Sequence, residues 1–330
     1  MDPHNSPGEK LLHPCPDSKD SHISDFQSKS AAITESTQSE QREFAVVPDF
    51  LADDAVYNVL RESVVTVIIH LASPLALQTE NYEEDIIRPA VSMVTVFLEA
   101  ARRVETVRRV VVTSSCVTLI PFEWKFNPDS ERLYTGTYAY PISSPHTQPR
   151  LLAARKAIGG FIETHNPSFD YVNLLPGVVI GPDDRLTPSS TNKNVGSNDL
   201  LQGTRMSVLA PVLTDDLSSS FPYVGVPVHV SDVARAHVDA VDWRRIPGNR
   251  EFILVSDADS VEGVEWEEGV REVVRKYYGK ELEEGLFLME GETEKVLVWR
   301  FVGFKETIEA LVAQWVGLKR LERSMEAGCE

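Results

Sequence analysis

The chain has 330 residues, 42% of them hydrophobic and 25% charged, and a formal net charge of -18. That length supports one large α/β domain, or a domain with a smaller lobe, around a sizeable core. The acidic balance argues against nucleic acid or an anionic membrane as partner, because each repels a negative surface.

Three cysteines, Cys15, Cys116 and Cys329, stand far apart without metal spacing. They fit a reducing compartment and predict neither a disulfide framework nor a metal site. The most apolar run, 64–77, is too short to span a bilayer and carries His70 inside it. The amino terminus lacks the basic start and apolar core of a secretory leader. These features predict a soluble, cytoplasmic protein.

Residues 1–43 are polar, with Pro at 3, 7, 14 and 16 and no apolar period. Such a segment buries too little to offset its ordering entropy, so a disordered tail is expected. Then follow a short β-like run "FAVVPDF" (44–50), a helix over 53–62, and a strand "VVTVIIHLA" (64–72) of the kind buried on both faces. A long helix is expected over 84–103, a second buried strand over 108–115, and another over 169–182 running into a Pro/Gly loop. The block 183–222 is polar and loop-like. After it come a short strand (226–230), a helix (231–243) with Ser231 or Asp232 as N-cap, and a strand (250–256). Helical stretches over 261–278 and 305–324 close the chain. Apolar strands alternating with helices predict an α/β fold, a doubly wound parallel sheet of the Rossmann type with its ligand at the carboxyl ends of the strands. The expected division is a nucleotide-binding domain over 44–182 with 226–256, and a smaller substrate lobe from 183–225 and 257–330.

Seven segments in order, "VVPDF", "VIIHLASPL", "IIRPAV…FLEAA", "VRRVVVTSS", "FDYVNLLPGVVIGP", "VPVHVSDVARAHVDAV" and "PGNREFIL", resemble the extended short-chain dehydrogenase/reductase superfamily. They are most similar to its dihydroflavonol-reductase and cinnamoyl-CoA-reductase branch. The resemblance implies an NAD(P)-dependent oxidoreductase, EC 1.1.1.-, reducing a ketone or aldehyde, in a fungal secondary-metabolite pathway. It implies NADP or NAD as cofactor and a small-molecule carbonyl substrate as partner. Carried over residue by residue, Asp49 meets the adenine, with a helix N-cap for 52–62 as its structural alternative. His70, Ala72 and Ser73 end a strand whose backbone lines the ribose and pyrophosphate; His70 itself reads as a packed strand-end histidine. Ser115, with Ser114 as the neighbouring alternative, orients the substrate carbonyl. Pro176, Gly177 and Val178 turn the chain beneath the nicotinamide.

Two departures stand against this resemblance. The family's pyrophosphate grip is a glycine-rich turn, where backbone must approach the phosphates at a helix start. This chain has no glycine between Gly8 and Gly136. The second departure is in "YAYPISSPHTQPRLLAARKAIGGF" (138–161), which holds the family's Tyr-x-x-Ser-Lys place. In one register Tyr140 is the proton donor, Ser144 replaces the lysine, residues 145–150 are an insertion, and Lys156 is an exposed mid-helix residue. Leu151 then stands at the lysine's place in the following helix. A competing register pairs Lys156 with Leu152 and loses the tyrosine. Pro145 and Pro149 predict that the helix carrying Lys156 begins after them. The catalytic candidates are therefore Ser115, Tyr140 and Lys156, and dinucleotide binding is expected to be weak. A non-catalytic relative that binds a ligand or partner is the alternative reading.

Overall fold

The computed structural model describes residues 45–74, 79–119, 149–186, 196–205, 227–256, 297 and 299–327. Expectations for 1–43, for Tyr140 and the loop around it, and for the helix over 261–278 lie outside the described residues. The chain divides into two units, Met1–Pro48 and Asp49–Glu330. The elements below belong to the second.

Four parallel strands form the main sheet: β1 (Val67–His70), β2 (Arg109–Thr113), β3 (Asp170–Pro176) and β6 (Arg250–Leu254), side by side in that order. Val67 pairs with Arg109, Arg109 with Asp170, and Val172 with Arg250. After Pro176 the chain leaves this sheet at Gly177. It forms β4 (Val178–Ile180), which pairs in parallel with β5 (Pro227–His229) as a two-stranded sheet. The single strand expected over 169–182 is therefore two strands serving two sheets.

Helices cover the sheet. α1 (Ala55–Glu62) precedes β1, and α2 (Arg88–Arg103) follows a π turn over Glu83–Ile87. Pro89 sits in the first turn of α2, directly after the π turn. Ala90, Val94, Leu98 and Ala101 make its buried stripe. α3 (Pro149–His165) precedes β3, α4 (Val230–Ala240) precedes β6, and α5 (Phe304–Ala327) closes the chain. α3 starts at Pro149 itself rather than after it, with the proline in the first turn, where its missing N–H is tolerated.

Alternation along the strands sorts the core. Ile68, Val110 and Val112 face one side, packing with Val56, Leu60, Val94, Leu98, Ile158 and Phe161 from α1, α2 and α3. Val111 and Leu174 face the other, against Ala236 and Ala240 of α4. A third core joins Ile180 to Ile308, Leu311, Val312 and Trp315 of α5.

Three further expectations need correction. Residues 45–50 form no strand, since a β-like run needs a ladder partner and none of the described strands pairs with it. β1 is not buried on both faces: Ile69 is 39% exposed and Leu71 is 65% exposed. β1 ends the described sheet; its Ile68 face packs on α1 and α2, while on the other face only Val67, at its start, reaches a core. The N-cap of α4 is neither Ser231 nor Asp232 but His229, whose Nδ1 accepts from the Ser231 N–H at 3.2 Å. The accepting Nδ1 carries no proton, in keeping with the lowering of its pKa by burial.

The amino edge of the sheet is held by one side chain. Arg109 is fully buried at the start of β2. Its Nε and Nη2 donate to the Asp170 carboxylate at 2.6 and 2.7 Å, and its Nη1 and Nη2 donate to the carbonyls of Ala240 and Ile246, each at 2.8 Å. The guanidinium thus ties two strands to the end of α4 and the following turn. Gly248 lies so close to Asp170 that any Cβ there would overlap the carboxylate.

Candidate active site

The ends of the strands and the antiparallel run of α3 define the opposite edge. β2 ends at Thr113, β1 at His70 and β3 at Pro176; α3 enters from this edge and delivers the chain to the start of β3. In a doubly wound sheet that carboxyl edge is where a ligand binds.

Ser115 lies two residues beyond β2, in extended backbone (φ -158°, ψ 147°). Its Oγ accepts from the Val117 N–H at 3.4 Å, and its carbonyl accepts from the Thr118 side chain at 2.7 Å. With a lone pair so used, the hydroxyl proton has no acceptor among the described residues and is free to donate to a ligand oxygen. Ser114, the alternative, is tied to β3 through its N–H, which donates to the Leu174 carbonyl at 2.7 Å.

The end of β2 is itself braced. Thr113 Oγ1 lies 2.6 Å from His237 Nε2, while His237 Nδ1 lies 2.7 Å from the Val233 carbonyl. A carbonyl only accepts, so Nδ1 carries the proton and Nε2 accepts from the threonine. Burial lowers the His237 pKa and keeps this neutral tautomer.

His70 is a packed strand-end histidine, 5% exposed, its ring 4.5 Å from that of Phe97. Burial pulls its pKa down to about 4. The chain emerges from there, with Ala72 and Ser73 exposed. Asp49 is exposed and its Oδ1 accepts from the Leu51 N–H at 2.8 Å, closing a turn. It does not cap the helix: α1 starts at Ala55, and its N-cap position is held by Asp54 at φ 57°. Pro176 is buried as the last residue of β3, and the Gly177 N–H donates to the Leu254 carbonyl at 2.9 Å. Val178 opens β4 and its side chain packs against the third core.

Lys156 is exposed on α3. The residue before it is buried instead. Arg155 grips the Glu251 carboxylate at 2.5–3.1 Å and touches Thr118 Oγ1 at 3.4 Å; Glu251 also accepts from Asn173 Nδ2 at 2.6 Å. Arg150, at the amino end of α3, has buried Nε and Nη1 atoms with no acceptor among the described residues. Sequence reasoning passed over Arg150 as the last residue of an insertion. The available signal was a cation directly before Leu151, the lysine's place.

The carboxyl edge thus carries a serine whose hydroxyl proton has no acceptor among the described residues, a strand-to-strand turn at Gly177, and guanidinium donors of Arg150 unmet by those residues. For the pyrophosphate the chain offers no glycine between Gly8 and Gly136. No group of three metal-ligating side chains occurs among the described residues.

Parallel strands, covering helices and a serine at the carboxyl edge define a doubly wound nucleotide-fold protein with a candidate oxidoreductase site. A family model, the NAD dependent epimerase/dehydratase family, matches residues 24–254, and the chain belongs to that family. It is 25% identical to ketoreductase CTB6 of Cercospora nicotianae, over 91% of this chain and 87% of that protein. To ketoreductase sphI of Aspergillus fumigatus it is 29% identical, over 73% of this chain and 70% of the relative. The crystal structure of yeast methylglyoxal/isovaleraldehyde reductase Gre2 complexed with NADPH superposes with a TM-score of 0.68 at 22% identity, over 89% of this chain and 90% of that one. At that identity the likeness shows the shared fold.

Proposed function

We propose that the protein is an NAD(P)H-dependent carbonyl reductase acting on a small ketone or aldehyde in fungal secondary metabolism. The observation that carries this reading is Ser115, at the carboxyl edge, whose hydroxyl proton has no acceptor among the described residues. Membership of the family and the likeness to two fungal ketoreductases support it. When bound, the reduced nicotinamide supplies a hydride to the carbonyl carbon. Ser115 donates a hydrogen bond to the carbonyl oxygen, where negative charge builds. Tyr140, outside the described residues, is assigned the proton that completes the alcohol. A phenol without a cation beside it has a pKa near ~10 and is a weak proton donor at neutral pH.

The cofactor contacts assigned to Asp49, His70, Ala72, Ser73, Pro176, Gly177 and Val178 belong to this proposal. So does the division into a nucleotide domain and a substrate lobe. No helix among the described residues is long and apolar enough to cross a membrane; a cytoplasmic location is part of the proposal.

NADPH oxidation by the purified 330-residue protein with a panel of ketones and aldehydes tests the reading. Turnover is expected, with half-saturation in NADPH well above the micromolar range. Ser115→Ala should lower kcat by about 10²–10³-fold with little change in melting temperature. No oxidation at millimolar NADPH sinks the enzyme reading. The exposed Lys156 and the absent glycine turn would then favour the second reading, a non-catalytic ligand-binding relative.

A further inference from the structure

Arg109, Arg155 and Arg150 show what a buried guanidinium ordinarily requires. Arg109 donates to a carboxylate and two carbonyls, and Arg155 holds Glu251. Arg150 has buried Nε and Nη1 atoms with no acceptor among the described residues, and burial is what pulls its pKa down. A guanidinium stays charged in such a setting, and buried donors left unmet are rare in folded proteins.

Its place in the fold shows where those donors stand. Arg155 is level with the middle of β3, since its partner Glu251 also binds Asn173. Arg150 is one and a half turns earlier on α3, roughly 7.5 Å nearer the carboxyl edge. It shares a helix row with Ala153, which is buried, and Ala157, which packs against the first core. The row faces inward, unlike the exposed Lys156. The two cations near the lysine's place therefore differ: Lys156 faces solvent, and Arg150 holds unmet donors at the ligand edge.

We propose that Arg150 binds the carboxylate of an anionic carbonyl substrate, an oxo acid, and so sets the substrate class. The carbonyl part of this assignment rests on the reductase reading; the anion site does not. A carboxylate supplies the charge and the acceptor atoms that the protein withholds from these nitrogens. A site built to pair such donors rejects analogues that leave them unmet.

The test uses benzoylformate and its uncharged methyl ester as matched probes, with inorganic pyrophosphate as the phosphate control, on the full chain. Calorimetry and ligand NMR should show wild type binding benzoylformate more tightly than the ester. Arg150→Met should weaken benzoylformate on the order of 10- to 100-fold and leave the ester and pyrophosphate unchanged, with Arg150→Lys in between. Because Arg150 has no counter-ion to lose among the described residues, Arg150→Met should melt at or above the wild-type temperature. Equal binding of acid and ester, or binding of neither, overturns the proposal. So does a melting temperature lowered like that of Arg109→Met, which would make Arg150 a structural residue. If pyrophosphate alone weakens in Arg150→Met, the oxyanion is a dinucleotide phosphate and the substrate assignment is overturned. Selective benzoylformate binding without NADPH oxidation keeps the anion site and rejects the reductase reading. NADPH oxidation indifferent to substrate charge, and unaltered in Arg150→Met, does the reverse.

Discussion

The two edges of the sheet treat the same residue type in opposite ways. At the amino edge Arg109 is enclosed and makes four hydrogen bonds, to Asp170, Ala240 and Ile246. At the carboxyl edge, where the Ser115 hydroxyl proton has no acceptor among the described residues, Arg150 is half-buried with two nitrogens unmet by those residues. The amino edge is saturated and so contributes stability. The carboxyl edge leaves donors open, which costs stability in the free protein and is recovered when a ligand fills them.

Removing the amino-edge staple should give the largest change. Arg109→Ala leaves Asp170 without its partner and two buried carbonyls unmet, and should cost about 3–5 kcal/mol in urea denaturation. A loss below about 1 kcal/mol would mean the edge is not held there.

A pH titration of stability separates the edges next. The His70 pKa is lowered to about 4 in the folded chain from 6.5. Between those values the unfolded state binds the proton and the folded state does not, so stability is complete above pH 6.5 and falls as the pH drops towards 4. The loss is on the order of 3 kcal/mol and levels off below the folded pKa. His229 and His237 shift in the same direction and add to it. His70→Gln should remove the largest share of the slope; an unchanged slope would place the titration elsewhere.

Gly248→Ala is a subtler test of the amino edge. Its Cβ would overlap the Asp170 carboxylate, so Asp170 or the turn must move, and about 1–3 kcal/mol should be lost. A variant as stable as wild type would show that the turn yields freely.

The smallest effect is expected at Lys156. Exposed and without a partner among the described residues, it should accept alanine with less than a twofold change in NADPH affinity and under about 0.5 kcal/mol in stability. A tenfold weakening would return it to the ligand edge and undo the contrast with Arg150.

Legibility followed the range of the interactions involved. The apolar strands at 108–115 and 250–256 and the long helix over 84–103 were readable because their patterns are local: β-branched runs and a four-residue apolar stripe. The start of α3 was readable from Pro149. His70 as a packed strand-end residue was also readable, since no second metal ligand stands near it in the sequence. The exposed face of β1 was not, because burial of Ile69 depends on what lies across the sheet. The cap of α4 was misassigned because Ser231 and Asp232 carry the usual capping chemistry, while His229 supplies the acceptor.

By itself the sequence determined the alternation of strands and helices through the main sheet, its parallel sense, the lack of a glycine turn between Gly8 and Gly136, and the placing of Ser115 just beyond a strand end. Those follow from periodicity, composition and residue type, which act over neighbouring positions. Only the tertiary structure decided which cations are paired. Arg109, Arg150, Arg155 and Lys156 carry the same charge in the sequence. Asp170 reaches the first and Glu251 the third from strands brought alongside, the fourth faces solvent, and the second is left with donors to fill. Partnering between residues far apart in the chain depends on the fold, and it separates the edge that holds this protein together from the edge assigned to its ligand.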